Sequence, residues 1–440
     1  MTHKIALLGL WHLGAVYSAC LADLGYLVVG WDADERRIHD LNAGNAPLFE
    51  PGLDDLISSN VASRNLSYTS NMREAIEGCS YIFITYDTPV DDNDEVDLAD
   101  ILAAIEEGAR YLEDKSIVVV NSQVPIGTCD KLKAMIAQNR PDLEFDIACS
   151  PENLRLGCAI KDFKEPDRVV IGSNSAITLE RVEELFSKIN APVIKMNLRT
   201  AEMTKHALNA FLATSVSFAN EIGNICDRTG ADALKVAEAL RADSRIGRKA
   251  LLRPGLGFAG ATLARDMKIL QHLSEKSGYA APLINGVLKV NDDQNVGVVT
   301  RLETILKSLN GSNIGVLGLT YKPGTSTLRR SAAIEIIGYL AARGALIKCF
   351  DPKASREELE FHKELQLCDT PYEAAKGSDA LVFITEWPEF SELDFGLIKS
   401  TMNVPPIILD AQNMLDAERM QGEGFTYLGT GRGNAKISSL

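Results

Sequence analysis

Four things are missing from this chain of 440 residues, and each absence narrows what it can be. No C-x-x-C pair occurs among its eight cysteines (Cys20, Cys79, Cys129, Cys149, Cys158, Cys226, Cys349, Cys368), which are scattered as the reduced thiols of a cytoplasmic enzyme are. The histidines, His3, His12, His39, His206, His272 and His362, form no metal-ligand spacing, so no metal site is expected. No apolar run is long enough for a membrane span; the first, Ile5 to Leu10, is far too short for that or for a signal sequence. Basic residues are in deficit, 45 against 60 acidic, and the net charge of -15 argues against nucleic acid as a partner. What is left is a globular, soluble chain, 46% hydrophobic and able to bury a sizeable core. Its length suggests two to three domains, at about 150 residues each.

The chain opens on Lys4-Ile5-Ala6-Leu7-Leu8, ending at Gly9, then Gly14 with an Ala/Leu-rich helical pattern, then Leu27-Val28-Val29-Gly30-Trp31-Asp32. That reads as strand, glycine turn, helix and strand, with Asp32 placed to accept ribose hydroxyls of a dinucleotide. The fingerprint needs glycines at 9, 11 and 14, and Trp11 stands where the second lets the backbone approach a pyrophosphate. Further apolar strands at 81–84, 116–120 and 146–149 meet polar turns at their carboxyl ends: Thr88-Pro89, Asn121 to Thr128, and Ser150-Pro151-Glu152-Asn153. Parallel α/β sheets bind ligands at such ends, although no one of these turns is specific by itself.

From Ala201 to Arg228 apolar residues recur at three- and four-residue steps without proline, which predicts one long, largely buried helix. Lys205 and Asn209 lie four apart on one face of it, where an ammonium is costly unless partnered. The plain alternative is a core helix with a snorkelling lysine. Beyond it, Arg245, Arg248 and Arg253 precede the glycine-rich run Gly255 to Gly260, whose backbone amides and arginines would suit a diphosphate; a solvated loop is the alternative. A second α/β pattern supplies four strands, at 313–319, 345–351, 380–384 and 407–410, and so a second parallel sheet. Lys322 and Arg329, after the first of them, are placed to close over a ligand, and the residues from about Gly422 read as a tail.

Taken in order, these segments resemble the UDP-glucose/GDP-mannose dehydrogenase family of nucleotide-sugar 6-dehydrogenases. The resemblance rests on Pro151-Glu152-Asn153-Leu154-Arg155, Ala201-Glu202-x-x-Lys205-x-x-x-Asn209, Gly318-Leu319-Thr320-Tyr321-Lys322-Pro323 and Thr385-Glu386-Trp387, and it covers nearly the whole chain. It implies an α/β fold of two Rossmann-like doubly wound domains joined by a long central helix and helical segment. The expected domains are 1–196 for NAD, 197–300 for dimerisation and catalysis, and 301–440 for the nucleotide sugar. NAD is the implied cofactor, a UDP-sugar the implied substrate, and a homodimer in the cytoplasm the implied assembly. Carried over residue by residue, Lys205, Asn209, Asp266, Glu152 and Thr262 are the catalytic positions. Gly9, Trp11, His12, Leu13, Gly14, Asp32, Thr88, Gln123 and Arg329 are the cofactor positions, and Asn153, Leu154, Arg155, Arg245, Phe258, Gly260 and Lys322 the substrate positions.

The chain departs from the family where the chemistry lies. Two NAD-dependent steps there carry a sugar C6 alcohol to a carboxylate, with a cysteine in Gly-x-Cys-Leu-Pro-Lys-Asp trapping the aldehyde. Here the run is Gly260-Ala261-Thr262-Leu263-Ala264-Arg265-Asp266. A threonine hydroxyl needs a general base and is a poorer leaving group than a thiol, so the covalent route is expected to be lost while the first oxidation survives. Gln123 replaces a water-positioning threonine, Leu156 an acid, and Gln412 a late arginine. Cys149 and Cys158, which flank Glu152, read as buried structural thiols. Two competing readings are a silent binding protein of the same fold, suggested by Trp11 with Thr262, and a dehydrogenase for a smaller hydroxy acid. Retention of Lys205, Asn209 and Asp266 speaks against the first, and the second sheet against the other.

Overall fold

A computed structural model describes residues 3–89, 96–259, 262–328, 330–359 and 365–433. The chain divides into two compact units, Met1–Leu208 and Asn209–Leu440. The first is built on eight strands: β1 Lys4–Leu8, β2 Leu27–Trp31, β3 Leu66–Thr69, β4 Tyr81–Ile84, β5 Ile117–Val120, β6 Asp146–Cys149, β7 Val169–Gly172 and β8 Val193–Met196. Their order is β3-β2-β1-β4-β5-β6-β7-β8, and every pairing is parallel except β6 with β7. Helices cover both faces, so the central strands are apolar throughout rather than alternating with polar residues. Along β1, Ile5 and Leu7 pack into one core with Leu21, Leu41 and Leu53, while Ala6 and Leu8 face a second core with Ile105, Leu132 and Ile136. Each such side chain, fully buried, contributes about 1.5–3 kcal/mol.

The second unit carries a wholly parallel sheet of six strands in the order β11-β10-β9-β12-β13-β14. These are β9 Asn313–Leu317, β10 Leu346–Phe350, β11 Leu365–Leu367, β12 Ala380–Phe383, β13 Ile407–Asp410 and β14 Thr426–Gly429. Two more strands are present than the apolar pattern announces. β11 is a three-residue edge, and β14 lies inside the stretch expected to be a tail. Tyr427 and Leu428 are buried there, and the Tyr427 hydroxyl donates to Asp410 Oδ2 at 2.9 Å, which anchors a segment whose composition is loop-like.

Both sheets close their first turn in the same way. The acid that ends the second strand accepts backbone amides from the glycine turn: Asp32 from Leu10 at 2.8 Å, and Asp351 from Leu319 at 2.7 Å and Thr320 at 3.0 Å. The central helix runs Leu198–Thr229, as the periodicity predicts. It is not buried all round, because Phe211, Phe218 and Ile225 are 70%, 46% and 51% exposed. Among the described residues no helix is long and apolar enough to cross a membrane.

Candidate active site

The glycine turn of the first unit keeps the two glycines its backbone demands. Gly9 sits at φ +92°, and a Cβ on Gly14 would lie 1.9 Å from the Gly9 carbonyl oxygen. Trp11 has φ -73° and ψ -152°, which any residue adopts, so the turn forms without a glycine there. What the substitution changes is the space beside the turn: the indole is 41% exposed, with the Arg37 guanidinium 5.3 Å above its ring. Arg37 also donates to Asp32 Oδ2 at 2.7 Å, while Asp32 Oδ1 accepts only the Asp34 amide, at 3.0 Å, among the described contacts. A cavity of about 550 Å³ opens beside these groups, lined also by Tyr86, Asp100 and Glu107. Its size, and an Asp32 oxygen with accepting capacity left, fit the adenosine half of a dinucleotide. Thr88 donates to the Gln123 carbonyl at 2.8 Å, so those two positions are brought together. Leu13 is a core side chain, and the His12 ring turns to Glu50 at 3.0 Å.

The segment after β6 is tightly braced. Leu154 donates its amide to Glu152 Oε2 at 2.6 Å, and Arg155 makes a bidentate pair with Asp162 at 2.6 and 3.0 Å that holds the Asp162 carboxyl below the usual carboxylate range. Asn153 lies beside Glu152 in the same turn. Lys205, from the central helix, donates to the Glu152 carbonyl at 2.8 Å and stands 3.1 Å from Glu152 Oε1. The ammonium is almost wholly buried, so these two contacts offset much of its desolvation. One turn earlier, Glu202 accepts the amides of Gly127 at 2.6 Å and Cys129 at 2.7 Å. It thereby caps the helix Thr128–Asn139 and fixes the turn that carries Gln123, a role not evident from the motif. Of the two flanking thiols, Cys149 is buried in β6, but Cys158 is exposed, because it ends the open turn before the helix Ala159–Lys164.

In the second unit Asn209 donates to Asp266 Oδ2, and Asp266 is fully buried in the first turn of the helix Leu263–Lys276. Thr262 precedes that helix, exposed and without a capping hydrogen bond from its side chain. The amides of the glycine-rich loop are less available than its composition suggests. The Gly255 amide donates to Asn220 at 2.8 Å and that of Phe258 to Asn291 at 2.7 Å, while Gln294 donates to the Gly255 carbonyl at 2.7 Å. Arg245 is engaged by Asp243 two residues away, at 2.6 Å, and Arg253 by the Asn413 carbonyl at 2.5 Å. Lys322, Thr320, Thr385 and Gln412 line a cavity of about 170 Å³ at the carboxyl ends of β9 and β12. Gly260 and Arg329 lie outside the described residues. Glu50, Arg37 and Asp351 were missed as site-shaping groups; only Asp351, an acid closing a strand like Asp32, carried a readable signal.

Comparison with known proteins matches three successive segments of the chain to one family. Residues 3–190 match the UDP-glucose/GDP-mannose dehydrogenase family, NAD binding domain; 199–293 match its central domain; and 315–417 match its UDP binding domain. The UDP-glucose 6-dehydrogenase TuaD of Bacillus subtilis is 38% identical over 431 residues, covering 98% of this chain and 93% of that protein. The UDP-glucose 6-dehydrogenase of Rhizobium meliloti is 36% identical, covering 98% and 99%. A solved UDP-glucose dehydrogenase from Pyrobaculum islandicum superposes with a TM-score of 0.86 at 30% identity, covering 98% of each chain. The chain therefore belongs to the UDP-glucose/GDP-mannose dehydrogenase family, whose members are NAD-dependent nucleotide-sugar dehydrogenases.

Proposed function

We propose that the protein oxidises a UDP-sugar at a hydroxyl, which we assign to C6, and does so without an enzyme-bound thiohemiacetal. The observation that carries this is the pair of buried polar contacts on successive turns of the central helix, Lys205 with Glu152 and Asn209 with Asp266. A helix that only filled a core would carry apolar residues at both places. When bound, NAD supplies the hydride acceptor. Lys205 Nζ orients the reacting hydroxyl and stabilises negative charge on its oxygen as the hydroxyl proton passes to water. Glu152 keeps the ammonium in place. Thr262 supplies no thiolate, so the aldehyde is released or reacts as its hydrate.

The match to a UDP binding domain and the substrates named for the relatives support a UDP-sugar, with Lys322 beside the second cavity as a phosphate contact. The exposed stripe of Phe211, Phe218 and Ile225 supports a homodimer through the segment 197–300, and the scattered cysteines support the cytoplasm. The test is NADH absorbance with product mass over a panel of UDP-sugars that begins with UDP-glucose, together with intact-protein mass under turnover. NADH formation is expected with no sugar adduct on the wild-type chain, and with an adduct on Thr262→Cys. NADH that binds but never forms would mean a binding protein and overturn the proposal.

A further inference from the structure

Glu50 is not among the catalytic, cofactor or substrate positions that the sequence suggests. It lies on the loop between the helices Glu35–Asn42 and Leu53–Ala62, away from any strand end, yet its residue is only 3% exposed. A buried carboxylate needs donors, and Glu50 has three. Oε2 accepts from His12 Nε2 at 3.0 Å and from the Gly157 amide at 2.9 Å, and Oε1 accepts from the Ala159 amide at 2.8 Å. His12 is the first residue of the helix that leaves the glycine turn, and its imidazole is the side chain that meets Glu50 among the contacts described. Gly157 and Ala159 end the segment that begins at Glu152, whose intervening turn is locked by Leu154 on Glu152 and by Arg155 on Asp162. One carboxylate thus joins the cofactor turn to the segment holding the partner of Lys205.

We infer that His12 is a positioning residue: through Glu50 it couples occupation of the glycine turn by the dinucleotide to the ordering of residues 152–159, and so to the placement of Glu152. The inference rests on the reading that this turn takes NAD. Coupling of this kind is reciprocal, since whatever the cofactor does to the segment, a fixed segment does to cofactor affinity. A purely structural His12–Glu50 contact would brace the segment equally with and without cofactor, which gives the experiment its readout.

Amide hydrogen exchange of a peptide spanning Gly157 and Ala159 is measured with and without NADH, and NADH binding is titrated separately by its fluorescence. NADH is expected to slow exchange in the wild-type chain by at least about threefold, an increment in protection of the size local opening equilibria allow. His12→Phe should lose the slowing whatever its affinity for NADH, and His12→Gln, with an amide nitrogen near the Nε2 position, should restore it. Glu50→Gln, which lies off the cofactor turn, carries the test: it should bind NADH and lose the slowing. NADH-dependent slowing that persists in Glu50→Gln, or that is absent from a wild-type chain that binds NADH, overturns the inference. A wild-type chain that does not bind NADH overturns the cofactor reading and this inference with it, and the titration separates the two cases.

Discussion

The Lys205 ammonium stands 3.1 Å from a carboxylate oxygen of Glu152 and 2.8 Å from the same residue's carbonyl oxygen, fifty-three residues away in the chain. One residue thus supplies both a charge and a dipole to a cation that water barely reaches. Replacing Lys205 by Met keeps the apolar body of the side chain and removes the charge and the hydrogen bond to the Glu152 carbonyl. NADH turnover should fall by about 10²–10⁴, the usual worth of a positioned proton-handling group, while NADH affinity changes little. Initial rates beside a fluorescence titration measure both, and a Lys205→Met enzyme within threefold of wild type would remove Lys205 from the chemistry.

Trp11 lies in a turn whose two backbone-critical glycines, Gly9 and Gly14, are retained. The lost glycine is the one whose lack of a side chain serves the ligand, and Trp11 fills that space with an indole held under Arg37. Trp11→Gly should therefore fold as the parent does and bind NADH about tenfold more tightly, a gain of about 1.4 kcal/mol. Calorimetric titration decides it; weaker binding in the variant would mean that the indole is itself part of the cofactor site.

How far these features could be read in the sequence follows from how local their causes are. Gly9, Gly14 and Asp32 were legible because a positive φ, a close approach and a strand end each restrict the residue type at a fixed offset. Lys205 was legible as a cation in want of a partner, but not as the partner of Glu152, since no spacing rule joins residues brought together by a sheet. Glu50 and Glu202 were not legible as caps for the same reason: each serves amides more than seventy residues away. Arg245 pairs with Asp243, two residues before it. β14 escaped because Thr426-Tyr427-Leu428-Gly429 has no apolar run, and only its place beside β13 makes it a strand.

With Thr262 in place of the expected nucleophile, the thiols near the site invite a direct test. Burial pushes the Cys79 thiol up to about 11 and those of Cys20 and Cys349 up to about 12, so at pH 8 almost none of each is thiolate. Cys158 is exposed and Cys368 half-buried. A disulfide-exchange reagent at pH 8 should titrate Cys158 quickly and Cys368 slowly, and should reach the rest only after denaturant is added. Cys158→Ser should abolish the fast phase and leave NADH turnover within about twofold of wild type, well inside the loss expected of a nucleophile. Loss of turnover in that variant would make Cys158 the missing thiol.

Phe211, Phe218 and Ile225 recur at intervals of seven along the central helix and are about half or more exposed, although each is a side chain that gains about 1.5–3 kcal/mol on burial. A seven-residue apolar repeat on an unbroken helix presents a seam that winds only slowly around it, and the homodimer proposed above would bury that seam against the same helix of a second copy. Phe218 lies at its middle. In such an isologous interface each substitution would enter twice, so Phe218→Asp would add two carboxylates to it, and dissociation should rise by at least about a hundredfold, or about 2.7 kcal/mol. Sedimentation equilibrium should show the wild-type chain at twice its 47.9 kDa and the variant near 47.9 kDa. A wild-type monomer, or a variant dimer of unchanged affinity, would mean that this stripe is not the contact between copies.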